Sequence, residues 1–424
     1  MILIMPALGV SKPLSLEAAI KMAQEHSFTI KSARYDSSSA RYSYQSAKSS
    51  RFPSLSLSAT SYRVDKLQKV EVIPGGIEIG SKDNYQADFK LILPLFTGGR
   101  ISNQIKSRKA AWQGQSYNLS AARLAGAYQC RLAWLSANMR AALVRSAERS
   151  LKRLEIIRED VNNLHINGLA DSVDILDAEL ACQKANEMLL EARTNHRHAL
   201  IRLAELTGIG DETSLVLEDN IAEPDTLRIE LSGLSPEDIA RPELKVAGAQ
   251  IQTARHAVGL NKAAYFPSIN AFGGYSIGKP NRNYFEADWN DYFSAGLTLN
   301  WEFNLGGRSV HDVRSARHIF YSAQMNQKAL EEMLMTQAKT AAEDFRLAYS
   351  EFEIAKKEYE ITGQKFRLGR EKQRAGTMSV NRLLELEAEH AAAEQMYHAS
   401  RINFYLMESG YLYAIGSTGI YGGL

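Results

Sequence analysis

Cysteine, single-sign charge and long apolar runs are all scarce in this chain. Two cysteines among 424 residues exclude a disulfide-stapled scaffold. Fifty Lys and Arg stand against 48 Asp and Glu, a formal charge of +2. That balance provides no cationic face for phosphate backbones, so no nucleic-acid partner is expected. No apolar run approaches the ~18 residues of an ordinary transmembrane helix, in keeping with a mean hydropathy of −0.28. Any passage through a bilayer must therefore be made by strands. Ten prolines and 28 glycines are few for this length and should gather at breaks between long regular segments. What is present, 45% hydrophobic and 23% charged residues, is a composition that folds.

The first ten residues are apolar, with Ala7 and Gly9 at a spacing that a signal peptidase accepts, but no basic segment precedes them. Residues 1–13 are read as the tail of a secretion signal, and with no cysteine following, no lipid anchor is expected.

The most informative feature is an internal repeat. Phe52-Pro53-Ser54 returns as Phe266-Pro267-Ser268, 214 residues later. Gly98-Gly99-Arg100 returns as Gly306-Gly307-Arg308, Gly168 as Gly376 and Gly208 as Gly416, all at an offset of 208. The first copy thus carries six extra residues between its first two motifs, where a loop is expected, and the segments beyond are constrained in length. The copies span residues 14–207 and 236–416, joined by an irregular connector at 208–235 and followed by a tail at 417–424.

Each copy opens with an amphipathic helix, near 15–50 and again near 236–263, announced by Ser15 and Ser235 as N-caps. A β-hairpin follows, at about 52–96 and 266–304. In Tyr85, Ala87, Phe89, Leu91 and Leu93 the odd positions are apolar and those between are mostly polar, the pattern of a strand with one greasy face. Phe293, Ala295, Leu297, Leu299, Trp301 and Phe303 repeat it. After each Gly-Gly-Arg the period becomes helical. Leu132, Leu135, Met139, Leu143, Ala147, Leu151, Leu154, Ile157, Val161 and Leu164 advance by three or four, as do Leu330, Leu334, Ala338, Ala341, Phe345, Ala348, Phe352, Ala355 and Tyr359. The 69 residues from Gly99 to Gly168 contain no proline, and as one helix would extend ~100 Å at about 1.5 Å per residue. Long helical hairpins are predicted at 99–207 and 306–416.

Alternation alone fits a soluble sandwich as well as a membrane barrel. Four strands cannot close a barrel, for which about eight is the smallest useful number, so a barrel requires several chains. Aromatic residues at the second hairpin, Tyr284, Phe285, Trp289, Tyr292 and Phe293 at one end and Trp301 and Phe303 at the other, suit a bilayer interface. Helices of ~100 Å have no evident purpose beside a sandwich but could continue a barrel as a conduit.

At this point the chain resembles the TolC-type outer-membrane efflux proteins. The resemblance runs from Leu14-Ser15-Leu16-Glu17-Ala18-Ala19 through Phe52-Pro53-Ser54-Leu55 and Pro94-Leu95-Phe96-Thr97-Gly98-Gly99-Arg100 to Gly168-Leu169-Ala170 with Asp174-Ile175-Leu176-Asp177-Ala178, and then through the second copy. It implies a mixed fold of long antiparallel, coiled-coil-like α-helical hairpins with two β-hairpins per chain. Three chains would form a 12-stranded β-barrel in the outer membrane of a Gram-negative bacterium, continued by an α-helical tunnel in the periplasm. It further implies a homotrimer serving as the exit duct of a tripartite efflux or type I secretion system, in contact with outer-membrane lipid, a periplasmic adaptor and, through the adaptor, an inner-membrane pump. Gly168, Leu169, Ala170, Gly376, Thr377 and Met378 become the adaptor-contact tip, although the family's apolar residue before the first glycine is here Asn167.

Asp174 and Asp177, and at the same steps after the second glycine Arg382 and Glu385, fall where the family narrows its tunnel. The arginine departs from the family's acidic pattern, so a mixed constriction is expected, with Arg382 paired to a carboxylate of a neighbouring helix. The polar strand positions Ser54, Ser56, Ser58, Gln86, Asp88, Lys90, Ser268, Asn270, Ser294, Thr298 and Asn300 should face a water-filled, weakly selective lumen.

No enzymatic activity, cofactor or metal is expected. His196 and His198, two apart on a helix, point away from each other, and no phosphate loop, CxxC or nucleophile elbow occurs. Cys130 and Cys182 would stand ~36 Å apart on an antiparallel helical hairpin, too far for a disulfide. The alternative reading is a periplasmic coiled-coil adaptor or scaffold, against which the two hairpins and the duplication argue.

Overall fold

A computed structural model of the chain describes residues 13–71, 74, 76–218, 221–224, 234–285 and 288–422. The apolar N-terminal segment up to residue 12 and much of the connector lie outside them. The chain is mostly helical with small antiparallel sheets, in the order α1 (Leu16–His26), α2 (Phe28–Ser49), β1 (Ser54–Arg63), β2 (Gln68–Val70), β3 (Ile77–Ile79), β4 (Asp83–Phe96), α3 (Arg100–Ile166) and α4 (Ser172–Thr207). The second copy supplies α5 (Pro242–Lys262), β5 (Ser268–Lys279), β6 (Asn290–Asn300), α6 (Arg308–Arg374) and α7 (Val380–Ile415). Helices α3 and α6 are both 67 residues long, and α4 and α7 both 36. Each begins 208 residues after its counterpart, so the repeat is one of structure as well as sequence.

The opening helices differ from expectation. Residues 15–50 form two helices because Ser27 leaves the helical conformation, at φ −52° and ψ 119°. Its N–H still bonds to the Ala23 carbonyl at 2.9 Å, ending α1, while its hydroxyl accepts from the Ile30 N–H at 3.3 Å, starting α2. In the second copy the helix begins at Pro242 rather than 236, after a short 3-10 turn at Pro236–Asp238. Proline lacks the N–H that an interior helical position needs and suits the first turn instead.

The chain divides into two compact units. One comprises Tyr35–Ser116 and Lys245–Lys328 and holds a four-stranded antiparallel sheet in the order β1-β4-β5-β6. The two predicted hairpins therefore lie side by side, joined through β4 and β5. Rows run straight across it: Leu57 pairs with Phe89, Phe89 with Tyr275 and Tyr275 with Phe293. Among the described residues the outer edges of β1 and β6 pair with no strand. The extra residues of the first copy are spent on the ribbon of β2 and β3, whose three-residue strands are too short to show a period. Gly98, where β4 passes into α3, has φ +60°, and a Cβ there would lie 2.7 Å from the Ala263 carbonyl oxygen and from the Phe266 Cβ. Conformation and crowding both require glycine.

The other unit comprises Met1–Arg34, Tyr117–Leu244 and Ala329–Leu424. Its main core gathers Leu16, Ile20, Trp134, Leu135, Leu203, Phe345, Ile402, Phe404 and Tyr411. A second cluster joins Leu154, Ile157, Val161, Cys182, Phe366, Leu383 and Leu386. Every residue of the two predicted helical stripes is buried or half-buried. Cys130 and Cys182 are free and buried. Arg131 is 1% exposed and is held by Ser409 Oγ at 2.8 Å, the Gly422 carbonyl at 2.9 Å and Glu408 at 3.4 Å.

Candidate functional site

In the sheet unit the pleat sorts side chains as the alternation predicts. One face carries Leu55, Leu57, Phe89, Leu91, Phe293, Leu297 and Leu299, all exposed. Aromatic pairs sit at both ends of it, Tyr85 stacked on Trp289 at 6.0 Å and Trp301 against Phe303 at 4.7 Å. An open hollow of about 610 Å³ is lined mainly by the other face, with Phe89 and Tyr275 at its margin. Of the predicted polar positions, Ser56, Ser58, Asp88, Lys90, Asn270, Ser294 and Thr298 line that hollow. Gln86, Ser54, Ser268 and Asn300 share the same face by register. Gln86 Nε2 donates to both oxygens of Asp88 at 3.0 Å. Apolar and aromatic side chains interrupt this polar face, Phe272 and Ile92 in one row, Pro94 opposite Asn270 and Tyr292 opposite Ser276.

In the helical unit the two glycine turns have closely matching geometry. Gly168 has φ +71° and Gly376 φ +74°, and a Cβ at either would meet nothing within 4 Å. Backbone conformation alone requires glycine there. The N–H groups of Leu169 and Thr377 return to the carbonyls of Leu164 and Lys372, each at 2.9 Å, closing the helix ends in Schellman fashion. Asp171 and Ser379 then cap α4 and α7. Leu169 is 75% exposed. Ala170 and Met378 pack against the second core cluster, while Thr377 is exposed and donates its hydroxyl to the Lys372 carbonyl at 3.0 Å.

The four predicted constriction residues all lie on the first two turns after these glycines. Asp174 accepts from the Asp171 N–H at 3.1 Å and completes a capping box. Asp177 is half-buried one turn on. Arg382 pairs with Glu385 at 2.5 Å, three residues along its own helix, and approaches Glu389 at 3.8 Å. Within the chain the carboxylate nearest Arg382 is the i,i+3 residue of its own helix. The Glu385 bond holds the Arg382 guanidinium above its ordinary pKa. Glu389 is itself bound by Lys365 of α6, which lowers its carboxyl pKa.

A polar network between α3 and α7 escaped the sequence reading. Glu387 and Glu394 are each 2% exposed. Arg153 binds Glu387 at 3.0 Å and Glu394 at 3.1 Å, Arg149 binds Glu394 at 2.6 Å, and Ser150 donates to Glu387 at 2.9 Å. Burial pushes the Glu387 carboxyl upward against the pull of Arg153. The same region pushes His398 down to about 4, through burial and then the charges of Arg149 and Arg401. Nearer the turns, Asp160 of α3 lies 3.6 Å from Arg374 and 3.9 Å from Arg370 of α6. The signal for the larger network was two acids seven apart, 387 and 394, facing two bases four apart, 149 and 153.

Comparison with known proteins agrees with this architecture. The family described as "Outer membrane efflux protein" matches residues 19–209 and 238–403, one segment in each copy. Outer membrane protein TolC of Vibrio cholerae is 26% identical over 215 residues, 48% of this chain and 45% of that protein. Its counterpart in Escherichia coli is 21% identical over 213 residues, 49% and 43% of the two chains. The matches span less than half the length of these curated relatives. The CmeC outer membrane channel of Campylobacter jejuni superposes with a TM-score of 0.83 at 15% identity, covering 95% of this chain and 85% of that one. The open-state MtrE outer membrane channel of Neisseria gonorrhoeae superposes at 0.76 with 18% identity, covering 95% and 89%.

Proposed function

Because the chain belongs to the outer membrane efflux protein family, we propose that it is the exit duct of a tripartite efflux or type I secretion system, passing cargo outward through the outer membrane. The observation that carries this reading is the four-stranded sheet, greasy on one face, wet on the other and, among the described residues, unpaired along both edges. In lipid, open strand edges leave backbone polar groups without partners, so a spanning sheet must close. Three copies supply twelve strands, with the leucine-rich face toward lipid and Ser56, Ser58, Gln86, Asp88, Lys90, Asn270, Thr298 and Asn300 toward water.

The helical unit supports a trimer independently. On α6 the exposed residues Leu347, Ile354, Ile361 and Leu368 recur every seven positions, and on α4 Val173, Leu176 and Leu180 are exposed. A seven-residue apolar stripe is the seam of a coiled coil, here turned away from the chain's own core. The helices would form the periplasmic tunnel. Gly168, Leu169, Ala170, Gly376, Thr377 and Met378 would meet the adaptor that links the duct to an inner-membrane pump, and Asp174, Asp177, Arg382 and Glu385 would narrow the tunnel. The duct performs no chemistry, and its energy comes from the pump. A scaffold of long helices would have no use for a sheet with a lipid-matched face.

Detergent extraction tests the reading. A heat-resistant trimer that conducts in planar bilayers supports it, and a detergent-independent monomer overturns it. Unchanged closed-state conductance of Arg382→Ala would remove that residue from the constriction. Crosslinking from Thr377 in intact cells should capture a periplasmic protein.

A further inference from the structure

The wet face of the sheet carries more than a polar lining. Gly274 stands directly opposite Lys90, and Gly296 directly opposite Phe272. At Gly296 a Cβ would lie 3.0 Å from the far edge of the Phe272 ring, so the ring occupies the space that a side chain there would need. Gly274 is different. Its φ is not in the left-handed region, and a Cβ would meet the Phe89 carbonyl oxygen at 3.4 Å and Ser294 Oγ at 3.5 Å, ordinary contacts. Neither conformation nor crowding requires glycine there, and the effect of the missing side chain is open space beside Lys90. Ile92 pairs with Phe272, which sets the ring diagonally from Lys90, at about 7–8 Å between backbones by sheet geometry.

The charges of the hollow are unequal in availability. Both Asp88 oxygens accept from the Gln86 amide. Lys90 is exposed, and no ion pair engages it among the described residues. The Gln86 amide is neutral, so Asp88 keeps its negative charge; what sets Lys90 apart is that its ammonium donors have no partner among the described residues and adjoin an aromatic ring and an aliphatic side chain on a floor kept bare by two glycines. The volume, about 610 Å³, is within the range of small-molecule sites.

Resting on the duct reading, we infer that this hollow is a transit subsite for amphiphilic organic anions, in which Phe272 and Ile92 hold a flat apolar body and Lys90 its carboxylate or sulfonate. A trimer would present three such subsites to the lumen. Burial of an aromatic body against Phe272 adds to the charge term, so neither a small anion nor an aromatic cation of the same size should bind as well.

The test uses the purified trimer in a planar bilayer, with naphthalene-2-sulfonate, methanesulfonate and naphthyltrimethylammonium as probes. Naphthalene-2-sulfonate should reduce the current reversibly, at a half-blocking concentration at least tenfold lower than either of the others. Phe272→Ser and Lys90→Gln should each raise that concentration about tenfold, and Gly274→Val, which fills the space without removing a contact, should do the same. Leu297→Ala, on the opposite face, should leave it unchanged. Equal block by all three probes, or block unaltered in Phe272→Ser and Gly274→Val variants that still run as trimers and conduct, overturns the subsite while leaving the duct intact. A wild-type protein that never conducts overturns the duct reading and the subsite with it.

Discussion

The two return helices, α4 and α7, have the same length, begin four residues after left-handed glycines and end at glycines with φ of +76° and +73°. Yet α4 buries seven residues, mostly small, whereas α7 buries fourteen, among them Tyr397, Phe404, Tyr405, Tyr411, Glu387 and Glu394. At the 208-residue offset Glu394 corresponds to Asn186, Phe404 to His196 and His398 to Leu190. Duplication kept what sets backbone length and direction and let the side chains diverge. Helix α7 is committed to the chain's own interior, and α4 keeps an exposed aliphatic stripe.

The strongest way to break this contrast is to place charge on each stripe. Leu176→Asp with Leu180→Asp should abolish the trimer on native gels while far-UV circular dichroism keeps its helical signal. Leu383→Asp with Leu386→Asp buries two unpaired carboxylates and should abolish folding altogether. Next in size, Glu394→Ala removes the carboxylate shared by Arg149 and Arg153; Arg153 keeps Glu387 and Arg149 is half exposed, so the helical unit should lose about 2–3 kcal/mol in guanidinium unfolding. Asn186→Ala, exposed at the equivalent place on α4, should stay within about 0.5 kcal/mol.

A smaller effect separates His398 from Leu190. The imidazole is held down to about 4 from an ordinary 6.5, so between those values the unfolded chain binds the proton more readily than the folded one. Its contribution is fully present above pH 6.5 and is lost as pH falls toward 4. His398→Gln should flatten the decline in melting temperature across that window, whereas Leu190→Gln should leave the slope as it is. The smallest contrast is expected at the turns, where Gly168→Ala and Gly376→Ala should each lower stability by about 1–2 kcal/mol through their left-handed φ. Unequal losses would mean that one turn is held by something beyond its own chain.

Much of this was legible because it rests on period and spacing. The apolar stripes of α3 and α6, the greasy and wet strand faces and the equal helix lengths all follow from residues that repeat at fixed intervals. What depends on which element faces which was not. The Arg149, Arg153, Glu387 and Glu394 network requires knowing that α3 of one copy packs on α7 of the other. Phe272 breaks the alternation, and its place is made by Gly296 on a different strand. Two boundaries carry purely local signatures: Asp171 followed three residues later by Asp174 is a capping signature, and Pro242 marks the start of α5.

The pairing of β4 with β5 fixes an order of events during synthesis. Ala87 stands opposite Ile277, 190 residues downstream, and closing so large a loop is slow compared with forming the helical hairpin that lies between. Until the ribosome has delivered the second copy, the first ribbon has no neighbour within its own chain. A nascent chain released early would expose an oily, unpaired strand, and chaperone protection is needed most during that interval.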